Sequence, residues 1–201
     1  MTTLLLVRHG ETDWNAARRI QGSTDIPLNE TGRAQARETA ETLRVRFAGL
    51  APVVVSSDLS RASETAEIIA EALGVEGPRT YPQLRERAYG VAEGLSIDEY
   101  LAQYGTFDRE NVPGAETTGE LRDRAVAGIR RVVRDARRTH APLDVPVIAV
   151  AHGAFIGQLI RHASGDTLPL PGERLANAST HEFHLERDRL TVRAYAAVPI
   201  A

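Results

Sequence analysis

The chain contains no cysteine and no lysine. Without cysteine there is no disulfide, no thiolate nucleophile and no Cys-based metal site. Without lysine there is no Schiff-base chemistry and no P-loop lysine. All 24 basic residues are arginines, so any phosphate must be held by arginine, histidine or backbone N–H groups. Such arginine usage is first a signature of genomic base composition; the chemical consequence holds all the same. No apolar run approaches the roughly 18 residues needed to cross a membrane. The N-terminus shows no basic segment followed by a long apolar stretch, so no secretory signal is expected and the location is read as cytoplasmic, with no membrane partner. Aromatic residues make up only 5%, and 24 basic against 27 acidic residues give a net charge of −3. A nucleic-acid partner is excluded on the same grounds, because there is no basic, aromatic-rich stripe.

What is present suits one α/β domain over residues 1–201, with 42% hydrophobic residues for its core. Leu4–Val7, Pro52–Val55 and Val145–Ala151 read as buried strands. Apolar stripes at helical spacing predict helices over Thr31–Ala48 and from Ser60, read as a cap, to Gly74. Thr117 and Glu120 offer a capping box for a helix running to about Arg138. Phe155–His162 is expected to be helical, and His181–Leu185 with Leu190–Tyr195 to pair as strands. Strands alternating with helices predict a three-layer sandwich, a mixed, mostly parallel sheet with helices on both faces. Residues 91–120 break the rhythm and read as a small cap excursion without a clean strand.

The first strand runs into Arg8-His9-Gly10-Glu11-Thr12. Strand ends in α/β proteins are where ligands bind. The second strand leads to Arg61 in the first turn of a helix, and the third delivers His152-Gly153 at the start of another. Singly, these residues have plain readings: a satisfied core histidine, a solvated helix arginine. In a parallel sheet the three ends share one edge, which gathers two arginines and two histidines. Clustered cations repel unless an anion holds them. A dianionic phosphoryl group offsets the repulsion, and arginine forks match its oxygens. The other histidines carry less. His181 and His184 face opposite sides of a strand and make a poor metal pair, and His140 and His162 sit near helix ends.

At these residues the chain resembles the histidine phosphatase superfamily, the phosphoglycerate mutase-like proteins. The resemblance rests on Arg8-His9-Gly10-Glu11-Thr12 with Trp14-Asn15, Arg19-Ile20-Gln21-Gly22, Asp25-Ile26-Pro27-Leu28 and Thr31-Gly32 to Gln35-Ala36. It continues through Ser57-Asp58-Leu59 with Arg61-Ala62 and Glu64-Thr65-Ala66, Leu84-Arg85-Glu86 with Gly90 and Glu93-Gly94, Pro113-Gly114-Ala115-Glu116 and Ala151-His152-Gly153. It implies a phosphoglycerate mutase-like fold, a phosphohistidine intermediate on His9, and Arg8, Arg61 and His152 as clamps on the phosphoryl oxygens. Glu86 is implied as the general acid, then the base that activates water. Asn15, Gln21, Gly22 and Gly153 would border the phosphate, with Arg87 and Tyr89 on the substrate. Trp14 would position Asn15, and Glu11 would lie behind the site. No cofactor and no metal are implied, since arginines and histidines supply the positive charge.

Within the family, Glu86-Arg87-Ala88-Tyr89-Gly90 looks like the mutase form of the acid motif. Mutases resemble one another in a basic insertion beyond that motif, and here the chain departs. Between Val91 and Glu120 the only basic residue is Arg109, against Glu93, Asp98, Glu99, Asp108, Glu110, Glu116 and Glu120. The expectation is therefore a metal-independent phosphatase acting on a small phosphorylated metabolite, with a neutral or weakly anionic leaving group. The alternatives are a cofactor-dependent phosphoglycerate mutase and a non-catalytic, phosphate-binding regulatory module. Loss of His9 or Glu86 would mark the module, and both are present. A small phosphate ester is the implied partner, and either a monomer or a homodimer fits.

Overall fold

Strand β1 (Thr2–Arg8) carries Leu4, Leu5, Leu6 and Val7, all buried. Side chains alternate faces along a strand, so Leu4 and Leu6 join one apolar cluster while Leu5 and Val7 join another. A strand apolar on both faces requires a sheet covered on both sides. The computed structural model describes residues 2–106, 111–187 and 189–199. After β1 come α1 (Asp13–Ala16), α2 (Glu30–Arg46), β2 (Val53–Ser56), α3 (Ser60–Leu73), β3 (Arg79–Thr80), α4 (Ile97–Tyr104) and α5 (Thr118–His140). Then follow β4 (Val147–Ala151), α6 (Gly153–Ser164), β5 (Glu173–Arg174), β6 (Thr180–Glu186), β7 (Arg189–Ala194) and β8 (Val198–Pro199).

The main sheet has the order β3-β2-β4-β1-β6-β7. Its first four strands are parallel, while β6 and β7 are antiparallel additions. Helices α5 and α6 cover the Leu4/Leu6 face through Leu121, Ile129, Val132, Phe155 and Leu159. Helices α2 and α3 cover the other through Ala40, Leu43, Ala66 and Ile69. Each fully buried Leu, Ile or Phe contributes about 1.5–3 kcal/mol, so the two covered faces hold β1 and β4 in fixed register. The mixed three-layer sheet thus matches the sequence expectation.

Local differences have local causes. Ser60 does not cap α3; Leu59 stands at the cap, and the carboxylate of Asp25 accepts from both the Ser60 N–H (2.8 Å) and its hydroxyl (2.7 Å). Helix α6 begins at Gly153, ahead of the expected Phe155. The excursion contains the helix α4, opened by a Ser96–Glu99 capping box. Ile20, Ala92, Tyr100 and Val112 give the excursion a small cluster of its own, pinned to residues 18–20 by backbone hydrogen bonds. The two-residue strands β3, β5 and β8 are too short to carry a period-2 signal. Asp108, Arg109 and Glu110 lie outside the described residues.

His181 sits opposite Leu6 in the β1–β6 ladder and is fully buried. Its Nδ1 accepts from the Ala196 N–H at 3.3 Å, and its Nε2 lies 3.0 Å from the Ser179 hydroxyl, which itself donates to the Ala176 carbonyl. That pattern satisfies a neutral ring with the proton on Nε2. Burial, and then the charge of Arg8, push its pKa down to about 4. An unfolded histidine titrates near 6.5. Between those values the unfolded chain binds the extra proton, so stability falls as pH drops, by about 3 kcal/mol from this residue once pH reaches its folded pKa. Urea unfolding at several pH values between neutrality and about pH 5 checks this: the His181→Gln protein loses stability with a slope shallower by about one proton. Equal slopes would contradict it.

Candidate active site

Three parallel strands deliver their ends to one edge. The Arg8–Ala151 register continues as the His9 N–H donates to the Ala151 carbonyl at 3.0 Å. The Ser57 N–H donates to the Val150 carbonyl at 3.0 Å, carrying β2 one residue further before α3 begins. His152 is the N-cap residue of α6, and Arg61 lies in the first turn of α3.

His9 is 3% exposed, and its Nδ1 lies 2.7 Å from the Gly10 carbonyl oxygen. A carbonyl only accepts, so Nδ1 carries the proton and Nε2 keeps its lone pair. Burial, and then the charges of Arg61 and Arg8, hold the ring well below the ordinary histidine pKa. The His152 ring is 5.1 Å away, centroid to centroid, at 59°. It is fully buried and lowered in the same way, by burial first and then by Arg61. Neither of its nitrogens has a protein partner.

Arg61 is fully buried, with Nη1 donating to the Thr24 carbonyl (2.9 Å) and Nη2 to the Gly22 carbonyl (2.8 Å). Arg8 donates through Nη1 to the Leu175 carbonyl. Burial lowers its pKa to about 10, with Glu86 opposing, so it stays cationic near neutrality. The Nε of both arginines, the Oε1 of Gln21 and both nitrogens of His152 are buried without a partner. A buried polar atom left unsatisfied costs about 1–3 kcal/mol. Arg8, Arg61 and His152 stand around His9, and their unpaired N–H donors mark a place built for a ligand that accepts hydrogen bonds.

The remaining residues singled out in the sequence frame this cage. Glu86 Oε1 accepts from the N–H groups of Arg87 (2.9 Å) and Phe155 (3.1 Å), and Oε2 from that of Ala154 (3.0 Å). The carboxylate is therefore fixed at the N-terminus of α6, on the helix that follows His152. Gly153 lies between, since a Cβ there would stand 3.4 Å from Arg8 Nε and 3.8 Å from Glu86 Oε2. Asn15 is fixed by α1, where its Oδ1 accepts from the Thr12 N–H and hydroxyl, each at 3.2 Å, leaving Nδ2 to donate. Arg87 is buried over the Tyr89 ring at 5.2 Å. Both line a cleft of about 280 Å³ with Arg8 and Gly153. Burial, and then Glu86, raise the Tyr89 pKa. The Trp14 ring lies against Gly94. Glu11 sits behind the site, accepting from the Asn29 side chain at 3.0 Å. Among the described residues no cluster of three or more His, Asp or Glu side chains is arranged to hold a metal ion.

The family model described as the histidine phosphatase superfamily (branch 1) matches residues 4–198. The chain belongs to the histidine phosphatase superfamily. It is 39% identical over 196 residues to an uncharacterized phosphatase, PhoE, of Bacillus subtilis (strain 168), covering 97% of this chain and 94% of that one. It is 38% identical over 178 residues to a probable phosphoglycerate mutase, GpmB, of Photorhabdus laumondii, covering 87% and 79%. Among solved structures, the mycobacterial glucosyl-3-phosphoglycerate phosphatase with VO3 superposes at a TM-score of 0.81 with 29% identity, covering 97% and 99%.

Two residues without a motif, Asn177 and Arg124, and two to which the motifs attach no role, Glu93 and Thr65, hold the site of this histidine phosphatase. Asn177 Nδ2 donates to the carbonyls of His9 and Gly10, each at 3.2 Å, and to Asn15 Oδ1 at 3.1 Å. Arg124 donates to the carbonyls of Gln83, Arg85 and Glu86 and to both carboxylate oxygens of Glu116, strapping the acid loop to α5. Glu93 accepts from the N–H and hydroxyl groups of Ser23 and Thr24, fixing the loop whose carbonyls hold Arg61. Thr65 Oγ1 accepts from the Gly10 N–H at 3.1 Å and donates to the Arg61 carbonyl at 2.7 Å, joining the segments that carry His9 and Arg61.

Gly10 is required by space. A Cβ there would stand 2.4 Å from the Gly32 carbonyl oxygen at the start of α2. Gly10→Ala must therefore shift the His9 loop, and misplacement by an ångström costs about a hundredfold in rate. Assays of phosphomonoester turnover are expected to show a fall of that order with the far-ultraviolet circular dichroism unchanged. For the rings themselves, NMR titration of His9 and His152 from about pH 8 to about pH 5.5 should show neutral imidazoles throughout, whereas an inflexion near the ordinary value of about 6.5 would contradict the assigned environment.

Proposed function

We propose that the chain hydrolyses small phosphate monoesters with His9 Nε2 as the nucleophile. One observation carries this: the His9 ring is buried and neutral, its Nδ1–H spent on the Gly10 carbonyl and its Nε2 lone pair unspent, within the field of Arg8 and Arg61. In the first step the lone pair forms an N–P bond as the ester P–O bond breaks. The leaving oxygen takes a proton from Glu86. In the second, Glu86 accepts a proton from water as the water oxygen bonds to phosphorus and the N–P bond breaks. Arg8, Arg61 and His152 neutralise the equatorial oxygens through both displacements. Asn15 Nδ2, Gln21, Gly22 and Gly153 border the phosphoryl group, and Arg87 with Tyr89 face the leaving group.

Arg87 and Tyr89 in the cleft, together with relatives named as mutases, speak for phosphoglycerate mutase as a second reading. Against it, residues 91–106 and 111–120 carry no basic residue and supply only the short helix α4. The basic insertion by which mutases resemble one another beyond the acid motif has no counterpart in the described cap. Residues 1–201 act as one domain with residues 91–120 as its cap, in the cytoplasm, as a monomer or a homodimer.

Turnover of p-nitrophenyl phosphate tests the roles. His9→Ala is expected to lose about a thousandfold or more and to lose acid-labile labelling by a phosphate donor; Glu86→Gln is expected to lose about 10²–10⁴-fold. A His9→Ala protein that matches wild type in both assays contradicts the assignment. Excess chelator is expected to leave turnover intact, and loss restored by added metal would contradict a cage in which arginine supplies the positive charge. Bisphosphoglycerate-dependent mutase turnover should stay below about a tenth of the phosphatase rate.

A further inference from the structure

The cleft that opens from Arg8 and Gly153 is lined on its far side by two arginines that the proposed phosphoryl chemistry does not use. Arg161 stands on α6, on the same face as Gly153 and Gly157 at spacings of four residues. Gly157 leaves that face bare between them. Eight residues of helix separate Gly153 from Arg161, about 12 Å, and helical side chains lean toward the N-terminus, back toward the phosphoryl cage. Arg174 stands on β5, next to Leu175, whose carbonyl holds Arg8. Its charge is near enough to depress the Arg8 pKa.

Among the described residues neither Arg161 nor Arg174 makes a side-chain hydrogen bond or an ion pair. The acceptors around them are committed elsewhere. Glu173 Oε2 accepts from the Leu170 N–H and the Tyr195 hydroxyl, and Gln158 Oε1 accepts from Arg122. The acids of the excursion do not supply the missing charge: Glu99 and Glu120 cap helices, Glu116 pairs with Arg124, and Glu93 holds the loop at Ser23. Four arginines, Arg8, Arg87, Arg161 and Arg174, thus line one small cleft, the last two exposed at its mouth; Glu173 is the carboxylate in its wall, Glu86 lies beside Arg8, and Asp166, near Arg161, is paired with Arg122. Like charges gathered in one concave site repel, and a second anion offsets the cost.

We propose that Arg161 and Arg174 form an anion subsite for the leaving group, so that the preferred substrates are short phosphate esters bearing a second anionic group, a carboxylate or a further phosphate. This rests on the phosphatase reading and departs from the expectation of a neutral or weakly anionic leaving group, which counts acids along the chain rather than locating them. A cleft of about 280 Å³ suits a small metabolite and not a macromolecular phosphoester.

Matched esters test it. 3-Phosphoglycerate and glycerol 3-phosphate differ at the carboxylate; fructose 1,6-bisphosphate and fructose 6-phosphate differ at the second phosphate. In wild type, kcat/KM for the more anionic member of at least one pair should exceed its partner about tenfold or more, and that ratio should fall toward one in the Arg161→Gln/Arg174→Gln protein. Which pair responds identifies the anion. A ratio near one for both pairs, or a ratio that the double substitution leaves intact, overturns the subsite. Because each ratio is internal to one preparation, a partly unfolded variant does not move it. Calorimetric binding of the same esters to the His9→Ala protein reads the subsite without turnover. If the phosphatase reading fails, no ester is turned over in wild type while the binding ratio persists. If the subsite fails, the ratio is absent from binding and turnover alike.

Discussion

Everything in this molecule turns on keeping two arginines and two histidines dry at one edge of a parallel sheet. Burial and the neighbouring guanidinium groups make His9 and His152 hard to protonate, so both rings stay neutral. The same burial leaves Arg8 Nε, Arg61 Nε and the His152 nitrogens without protein partners. The chain carries that cost because the two packed faces of the sheet supply a surplus, with Leu4 to Val7 and Val147 to Ala151 fully enclosed. On the proposed reading a phosphoryl dianion would reverse the balance, offering oxygens to the orphaned donors and negative charge to both arginines. The family to which the chain belongs is built around such a transfer.

Preorganisation comes from hydrogen bonds that cross the chain at long range. Glu93 in the cap fixes the loop that carries Gly22 and Thr24, and those carbonyls aim Arg61. Arg124 on α5 fixes the loop that carries Glu86, and the N-terminus of α6 holds the Glu86 carboxylate itself. Asn177 ties the His9–Gly10 backbone to Asn15. The site is thus pulled into shape from the cap, from α5 and from the segment after α6, while Arg8, His9 and His152 sit at the ends of the rigid strands β1 and β4. That division suits electrostatic catalysis, in which donors are placed before charge develops.

Much of this was legible from residues alone. Leu4-Leu5-Leu6-Val7 before Arg8-His9, and Val145–Ala151 before His152, announce buried parallel strands whose ends converge; periodicity and topology suffice for that step. The sequence could not locate partners that depend on contacts between distant segments. Asp25 caps α3 from 35 positions away, and Asn177 reaches Gly10 across 167; neither carries a local signal. The acidic count over residues 91–120 says little about the cleft for the same reason. A carboxylate contributes field where it points, and Glu99, Glu116 and Glu120 are spent on helix caps and an arginine. Two of the four arginines that line the cleft, Arg161 and Arg174, come from a later part of the chain that no family motif singled out.

In the mechanism proposed for His9, phosphate passes through a covalent bond to the protein on its way to water. The stereochemical course at phosphorus tests this most directly, because it does not require the intermediate to accumulate. A monoester made chiral at phosphorus with oxygen isotopes is hydrolysed in water of the appropriate isotopic composition, and the configuration of the released phosphate is determined. Two in-line displacements, each inverting, give net retention, which is the result this account predicts. Net inversion would mean that water attacks the ester in a single step, and His9 would then not be the nucleophile.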